Sequence, residues 1–261
     1  MPDRGDIEDR MARASKAWKA GEMGVALDLW APLAHDGHAR AQSNMGAAFL
    51  EGRGVTQDHD KAVSWLRLAA DQGDSGAQRN LAVCYYEGWG VPQDHGQAAR
   101  WYEKAAEQGD ADSQDMLSWM KLVGGGIPVD YEGSRIWAEK AAKQGSTEAM
   151  ARLGDIHHNA LGAERNVILA AAWWRQAAVM GHAEAQAMLG AAHLTGQGVA
   201  QDGIEALHWL LRAEAGGAGE LAAGFLKEAR ANMSALDQAE AERRASVPLP
   251  GPKPASDARP A

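Results

Sequence analysis

The chain of 261 residues holds one cysteine, Cys84, so no disulfide can form within it and a disulfide-stapled fold is excluded. That single thiol fits a reducing compartment. Phenylalanine is scarce too, at two residues against an apolar content of 46% rich in alanine, which suits short packed helices better than sheets. Cationic excess is missing: 26 Lys and Arg face 35 Asp and Glu, a formal charge of −9 with a pI near 5.5. Bulk electrostatics therefore argue against nucleic acid or an anionic membrane as partner and favour a basic protein surface. There is no apolar run of about 18 residues, so no membrane span is expected. Met1 to Arg10 carries six charged side chains and no apolar core, unlike a secretory signal. A cytoplasmic protein is the resulting expectation. Catalytic signatures are lacking as well. The glycine turns, Gly124-Gly125-Gly126 among them, are not followed by the Lys-Ser/Thr of a phosphate loop, and no nucleophile elbow or His-Glu-x-x-His pattern occurs. No enzyme activity, cofactor or metal is expected.

What the chain does have is a lattice. Trp65, Trp101, Trp137, Trp173 and Trp209 recur every 36 residues, as do Gly73, Gly109, Gly145, Gly181 and Gly217, and Gly54, Gly90, Gly126, Gly162 and Gly198. A fixed period of this size is the signature of stacked helix pairs. Within each unit Ala41, Ala77, Ser113, Ala149 and Ala185 precede Met45, Leu81, Leu117, Leu153 and Leu189 by four residues, the spacing of a buried helical stripe. The next column, Gly46, Ala82, Ser118, Gly154 and Gly190, is uniformly small, which predicts close helix approach. Glycine turns ending in Val55, Val91 and Val199 follow. Asp58, Asp94, Asp130, Asn166 and Asp202 then stand as caps for a second helix that is expected to bury the tryptophan column and close at the Gly73 column.

These signals predict five domain segments: an unstructured start over 1–6, a shortened helix pair over 7–38, five repeats over 39–218, one capping helix over 219–246 and a Pro-rich tail over 247–261. In the middle of the lattice Gly133-Ser134, Ala160 and Ala163 are the clearest departures.

The pattern Ala77-Gln78, Leu81, Tyr85, Gly88 to Val91, Asp94, Ala98, Trp101-Tyr102, Lys104-Ala105-Ala106, Gly109 resembles the Sel-1-like repeat family, relatives of the tetratricopeptide repeats, over roughly Ala39 to Gly217. The resemblance implies an all-α fold, a right-handed α-solenoid of antiparallel helix pairs. It also implies a non-enzymatic adaptor or scaffold that binds a peptide or protein segment on a concave face. The alternative is a regulatory or assembly subunit that docks on an enzyme or sensor through its convex face or end helix. The family's tyrosine column here reads Phe49, Tyr85, Lys121, His157 and His193, so the last three depart from it.

By the same resemblance the first helices line the concave face, with Arg40, Ser43, Asn44, Arg79, Asn80, Val83 and Tyr86 early on and Asp112, Asp115, Trp119, Glu148, Asp155, His158 and Glu184 farther along. Asn44 and Asn80 sit one period apart and suit a grip on an extended backbone. The charges predict a groove basic at its start and acidic after Asp112. Cys84 falls in a column of small or apolar residues, which predicts a buried packing thiol. His59 and His95 flank capping aspartates, a solvated setting that favours no metal. The adjacent His157 and His158 point about 100° apart on a helix and seldom share an ion, although His158 and Asn159 together offer a ligand-facing pair. Trp89 and Trp119 lie off the tryptophan lattice and are candidates for surface contacts.

Overall fold

The computed structural model describes residues 4–231 and 233–249. Residues 1–3 and 250–261, which include most of the expected Pro-rich tail, lie outside them. The described residues are all-helical, without a strand. After α1 (Arg4–Lys19) and α2 (Met23–His35) come the paired helices α3 (Ala39–Glu51) and α4 (His59–Asp71), α5 (Ser75–Glu87) and α6 (His95–Glu107), α7 (Ala111–Val123) and α8 (Tyr131–Lys143). The pairs α9 (Thr147–Asn159) with α10 (Val167–Val179) and α11 (Ala183–Thr195) with α12 (Gly203–Ala213) complete the lattice, followed by α13 (Gly219–Ala231) and α14 (Ala235–Ser246). The first helix takes in residues 4–6, with Asp6 in its first turn. The expected single capping helix is two, because Ser234 starts α14 by accepting the Asp237 N–H at 3.2 Å. Gly217 does not end α12 as a simple cap. The chain passes through a π-type turn, Glu214–Ala218, in which Gly217 takes φ 99°.

Local chemistry accounts for the ends of each pair. Asp58, Asp94, Asp130 and Asn166 each accept the backbone N–H three residues on, at 2.8–3.0 Å, and Asp202 does so for Ile204 and Glu205. The first helices are capped too, a signal the sequence reading passed over: Asp74, Asp110, Ser146 and His182 accept from Ala77, Ser113, Ala149 and Ala185. The turn glycines are left-handed for a steric reason. A Cβ on Gly90 would land on the His59 carbonyl, and one on Gly198 on the carbonyl of Val167.

The chain divides into two compact units, Met1–Val129 and Asp130–Ala261, so the boundary falls inside the third repeat, between α7 and α8. In each unit the core is the seam between neighbouring pairs. Ala41, Ala48, Leu66, Ala69, Leu81 and Cys84 are buried in the first, and Ala149, Leu153, Trp174, Leu189 and Trp209 in the second. Burial pushes the Cys84 thiol up to about 11, as a packing residue requires. The tryptophan lattice needs a correction. Only Trp209 is buried, while Trp65, Trp101, Trp137 and Trp173 are half-buried. The core position of the second helix is the next residue, Leu66, Tyr102, Ala138, Trp174 and Leu210. The indoles instead close the seam's rim, where Lys104 lies over Trp101 at 4.0 Å and Lys140 over Trp137 at 3.7 Å.

A second set of columns holds successive pairs together. Gln42, Gln78 and Gln186 are buried and donate through Nε2 to Ala34, Ala70 and Ala178, the closing carbonyls of the preceding helix, at 3.0–3.2 Å. Gln72 and Gln108 in turn donate to the Gln42 and Gln78 Oε1 atoms at 2.8 and 2.7 Å. In the fourth repeat both columns change together, to Met150 and Met180. The tyrosine column behaves likewise. Tyr85 accepts from Arg67 at 2.9 Å, and His193 meets Arg175 at 3.1 Å with the same separation of 18 residues. The two intermediate repeats place Glu103 with Lys121 and Glu139 with His157 in those columns. Of the three departures from tyrosine, His193 keeps the contact through Arg175, while Glu139 is paired with Arg135.

Candidate functional site

In the first unit α3, α5 and α7 carry the expected site residues, and the structure divides them into two groups. Most are spent on joining helices. Arg79 reaches Asp110 Oδ2 at 2.8 Å and Asp112 Oδ2 at 3.0 Å, which ties α5 to the start of α7. Arg40 lies 3.7 Å from the capping Asp74. Tyr86 stacks on His95 with ring centroids 4.7 Å apart and meets the edge of Trp119 at 6.2 Å. Asp115 is half-buried and engaged. Ser43 is buried and offers nothing to a partner. The expected charge gradient is weakened at its start, because Arg40 stands against Asp74 and Arg79 pairs with Asp110 and with Asp112, the first residue of the expected acidic end.

The second group is Asn44, Asn80 and Val83, half-buried on α3 and α5. Among the described residues neither asparagine amide has a hydrogen-bond partner, although Gln42, Gln78 and Arg79 beside them are all engaged. The amides thus present two sets of donors and acceptors one repeat apart. His59 and His95, expected as solvated, are half-buried ring-stacking residues instead, His59 lying on Trp89 with centroids 5.3 Å apart. Of Trp89 and Trp119, Trp89 is the more exposed.

In the second unit Glu148 and Glu184 are exposed near the starts of α9 and α11. Asp155 and His158 form one face of α9, and both meet Trp174 of α10. The indole Nε1 donates to Asp155 Oδ1 at 3.1 Å, and the His158 ring lies 5.3 Å from the indole. Trp174 reaches this place because Gly154 leaves it room: a Cβ there would overlap the indole Cδ1 and Nε1. Burial pushes the Asp155 carboxyl up, partly offset by the Trp174 hydrogen bond, and Glu184 adds to the rise. His158, Trp174, Met188, Ala191, Thr195 and Phe225 line a cleft of about 140 Å³. His158 Nδ1 is buried there without a partner. Asn159 does not share this cleft. Its amide caps its own helix, donating to the Asp155 carbonyl at 3.0 Å. Among the described residues no three His, Cys, Asp or Glu side chains converge on a point that would hold a metal.

A repeated helix pair with capped ends, a small-residue seam and polar side chains left over on the first helices defines the tetratricopeptide-like class of repeat proteins. The chain belongs to the Sel1 repeat family, whose model matches residues 39–74, 75–110, 111–146, 147–182 and 183–217. Proteins of this family are in general non-catalytic scaffolds for protein interaction. The fold is shared with c5321, a protective antigen of uropathogenic Escherichia coli with an SLR fold, at TM-score 0.80 and 29% identity over 92% of this chain and 53% of that one. This chain therefore spans about half the length of that antigen. A Sel1 repeat protein from Oxalobacter formigenes matches at TM-score 0.74 and 30% identity, over 89% of this chain and 96% of its own. Among curated proteins none matches. No helix among the described residues is long and apolar enough to cross a membrane.

Proposed function

We propose that the protein is a non-enzymatic, cytoplasmic adaptor that binds a peptide or protein segment along the first helices of its repeats. The observation that supports this reading is the pair Asn44 and Asn80, half-buried one repeat apart and without a partner among the described residues, while Gln42, Gln78 and Arg79 beside them are engaged. Half-buried amides stay open to a ligand, and two of them at the repeat spacing suit the donors and acceptors of an extended backbone. The net charge of −9 favours a partner with a basic surface over nucleic acid. The test is titration calorimetry of a partner isolated from the native cell against Asn44→Ala/Asn80→Ala protein. A loss of tenfold or more with an unchanged melting temperature is expected, and unaltered affinity would discard this face.

A second reading rests on α10. The outer faces of α4, α6 and α8 carry several charges, but α10 has Arg175 as its only charge and exposes Ile168, at 71%, and Leu169 at its start and Val179 and Met180 at its end. An apolar strip of this kind suits docking of the chain's outer wall on a larger assembly. Ile168→Asp abolishing capture while the asparagine pair has no effect would favour that role over the adaptor.

A further inference from the structure

The outer wall of the second helices is open in four repeats and covered in the fifth. Ser64, Arg100, Ile136 and Ala172 hold one position on that wall, Leu68, Lys104, Lys140 and Gln176 another, and all are exposed. On α12 the same two positions are His208 and Arg212, both half-buried, with the half-buried Leu211 beside them. What lies along them is α14. Its grip is polar rather than apolar. Among the described residues Ala241 is its one buried side chain, where α12 itself buries Ala206, Leu207, Trp209, Leu210 and Ala213.

Two polar links hold α14 in place, and both run through groups that adjoin His208. Arg212 donates to the carbonyls of Arg244, at 3.1 Å, and of Val247, which closes the end of α14. The same guanidinium is steadied by His208, whose Nε2 accepts from Arg212 Nε at 2.8 Å. The second link is Glu205. Its Oε1 accepts from Arg244 at 2.6 Å, while Oε2 stands 3.6 Å from His208 Nδ1, which is buried and makes no hydrogen bond. An imidazole accepts at Nε2 only while it is neutral. Protonation removes that acceptor, sets a second cation against Arg212, and draws the Glu205 carboxylate toward the ring and away from Arg244.

We infer that α14 is a releasable cover of the α12 wall, and that a proton on His208 releases it. Burial holds the His208 pKa below its ordinary value, with Glu205 opposing the fall and Arg212 and Arg244 adding to it. These are the charged groups that bear on the ring, Glu205 and Arg212 from its own helix and Arg244 from α14. With α14 released the ring regains water and its ordinary value of about 6.5. The cover is therefore fully held above that pH and loosens as pH falls toward the lowered value, because the released form takes up the proton first. Release bares Leu211 and the edge of the cluster that Ala241 shares with Leu207 and Leu210, on the wall where α10 exposes Ile168. The device does not depend on which face binds a partner.

The experiment is hydrogen exchange of the full chain read by mass spectrometry from about pH 7.5 to about pH 5.5, on either side of the ordinary imidazole value. Each rate is divided by its intrinsic value at that pH. Peptides of α14 should lose protection by about fivefold or more in acid, and those of α11 by less than about twofold. In His208→Gln the side-chain amide keeps an acceptor for Arg212 and cannot titrate, so the fall should vanish. Arg212→Met should leave α14 weakly protected at both ends of the range. On the parent chain the His208 ring, followed by NMR and assigned by comparison with His208→Gln, should titrate below about 6.5. A ring that titrates at or above that value, α14 protection that ignores pH, or an equal fall in His208→Gln overturns the proposal. So does α14 protection that Arg212→Met leaves unchanged, or α11 that loosens in acid as much as α14, because the chain then opens as a whole and has no separate cover.

Discussion

The two units are built from one repeat and use it differently. In the first, identity is kept: Gln42 and Gln78 hold the same bonds, Gln72 and Gln108 answer them, and Arg79 staples α5 to α7. In the second, Gln186 keeps its bond to Ala178, but other columns change residue. Met150 and Met180 replace a glutamine pair, His193 with Arg175 stands for Tyr85 with Arg67, and Ala160 takes the left-handed position that glycine fills in the other lattice repeats. The lesson is that a repeat tolerates change in pairs. Asp155 with Trp174 is one more such pair, joined by the indole hydrogen bond and given room by Gly154.

The strongest way to break the comparison is at the small-residue column. In the first unit a Cβ on Gly46 would stand 2.6 Å from Cγ of the fully buried Leu66 and 3.2 Å from its backbone N, so an aliphatic branch and not a flat ring must shift. In the second the same change at Gly154 strikes a rigid indole already fixed by Asp155. Gly154→Ala should therefore destabilise by about 2 kcal/mol, in the range for overpacking of a tight core. Gly46→Ala should lose less, about 1 kcal/mol, because the gain in helix propensity offsets part of the clash. Guanidinium unfolding followed by circular dichroism measures both, and the Gly154→Ala/Trp174→Leu double variant should recover most of the loss. Equal effects at the two glycines would mean that the units pack alike.

Next in size is the glutamine ladder. Gln78→Met removes a donor to the Ala70 carbonyl and the acceptor for Gln108, both part of a buried network, and should cost about 1–2 kcal/mol. The reciprocal change Met150→Gln faces Ala142, the carbonyl of the same column, and should be near neutral alone but favourable with Met180→Gln. A double-mutant cycle on thermal unfolding reads that coupling, and its absence would end the claim that the two methionines replace a bonded pair.

How far the molecule was legible follows from such columns. The period, caps, turns and helix limits stand in the sequence because they need particular residues: Asp or Asn to accept N–H groups, glycine for positive φ. The core column was misplaced by one residue. Trp65 and its equivalents repeat in identity and draw the eye, whereas Leu66, Tyr102, Ala138, Trp174 and Leu210 share burial and nothing else. The glutamines were visible at their spacing, but their partners lie 8 and 30 residues away, and only the fold pairs them. Of the candidate site, Asp155 and His158 were found on the first-helix face. Trp174, Met188 and Phe225 were not, because they come from other helices and no local spacing links them.

A smaller effect sharpens the contrast at the helix ends. Gly52, Gly88, Gly124 and Gly196 close α3, α5, α7 and α11 in the left-handed region, and Ala160 closes α9 there with φ 58°. An alanine pays about 1 kcal/mol for that conformation, less the greater freedom glycine regains on unfolding. Ala160→Gly should raise stability by several tenths of a kcal/mol up to about 1, seen as an upward shift of the melting temperature. A fall instead would show that the alanine methyl is needed where it sits.

The smallest effect concerns Asp155, and its sign is what matters. Its carboxyl is pushed up by burial, opposed by the Trp174 hydrogen bond and aided by Glu184, while His158 and His182 are the other groups that face it. A carboxyl raised in the fold binds its proton more tightly than in the unfolded chain, so its contribution favours folding in acid and is lost as pH rises through the raised value. Asp155→Asn removes that loss while it keeps an acceptor for the indole. The variant should therefore melt higher than the parent at pH 7, with the difference shrinking as pH falls toward the ordinary aspartate range. A residue kept for packing alone would show the opposite order at neutral pH.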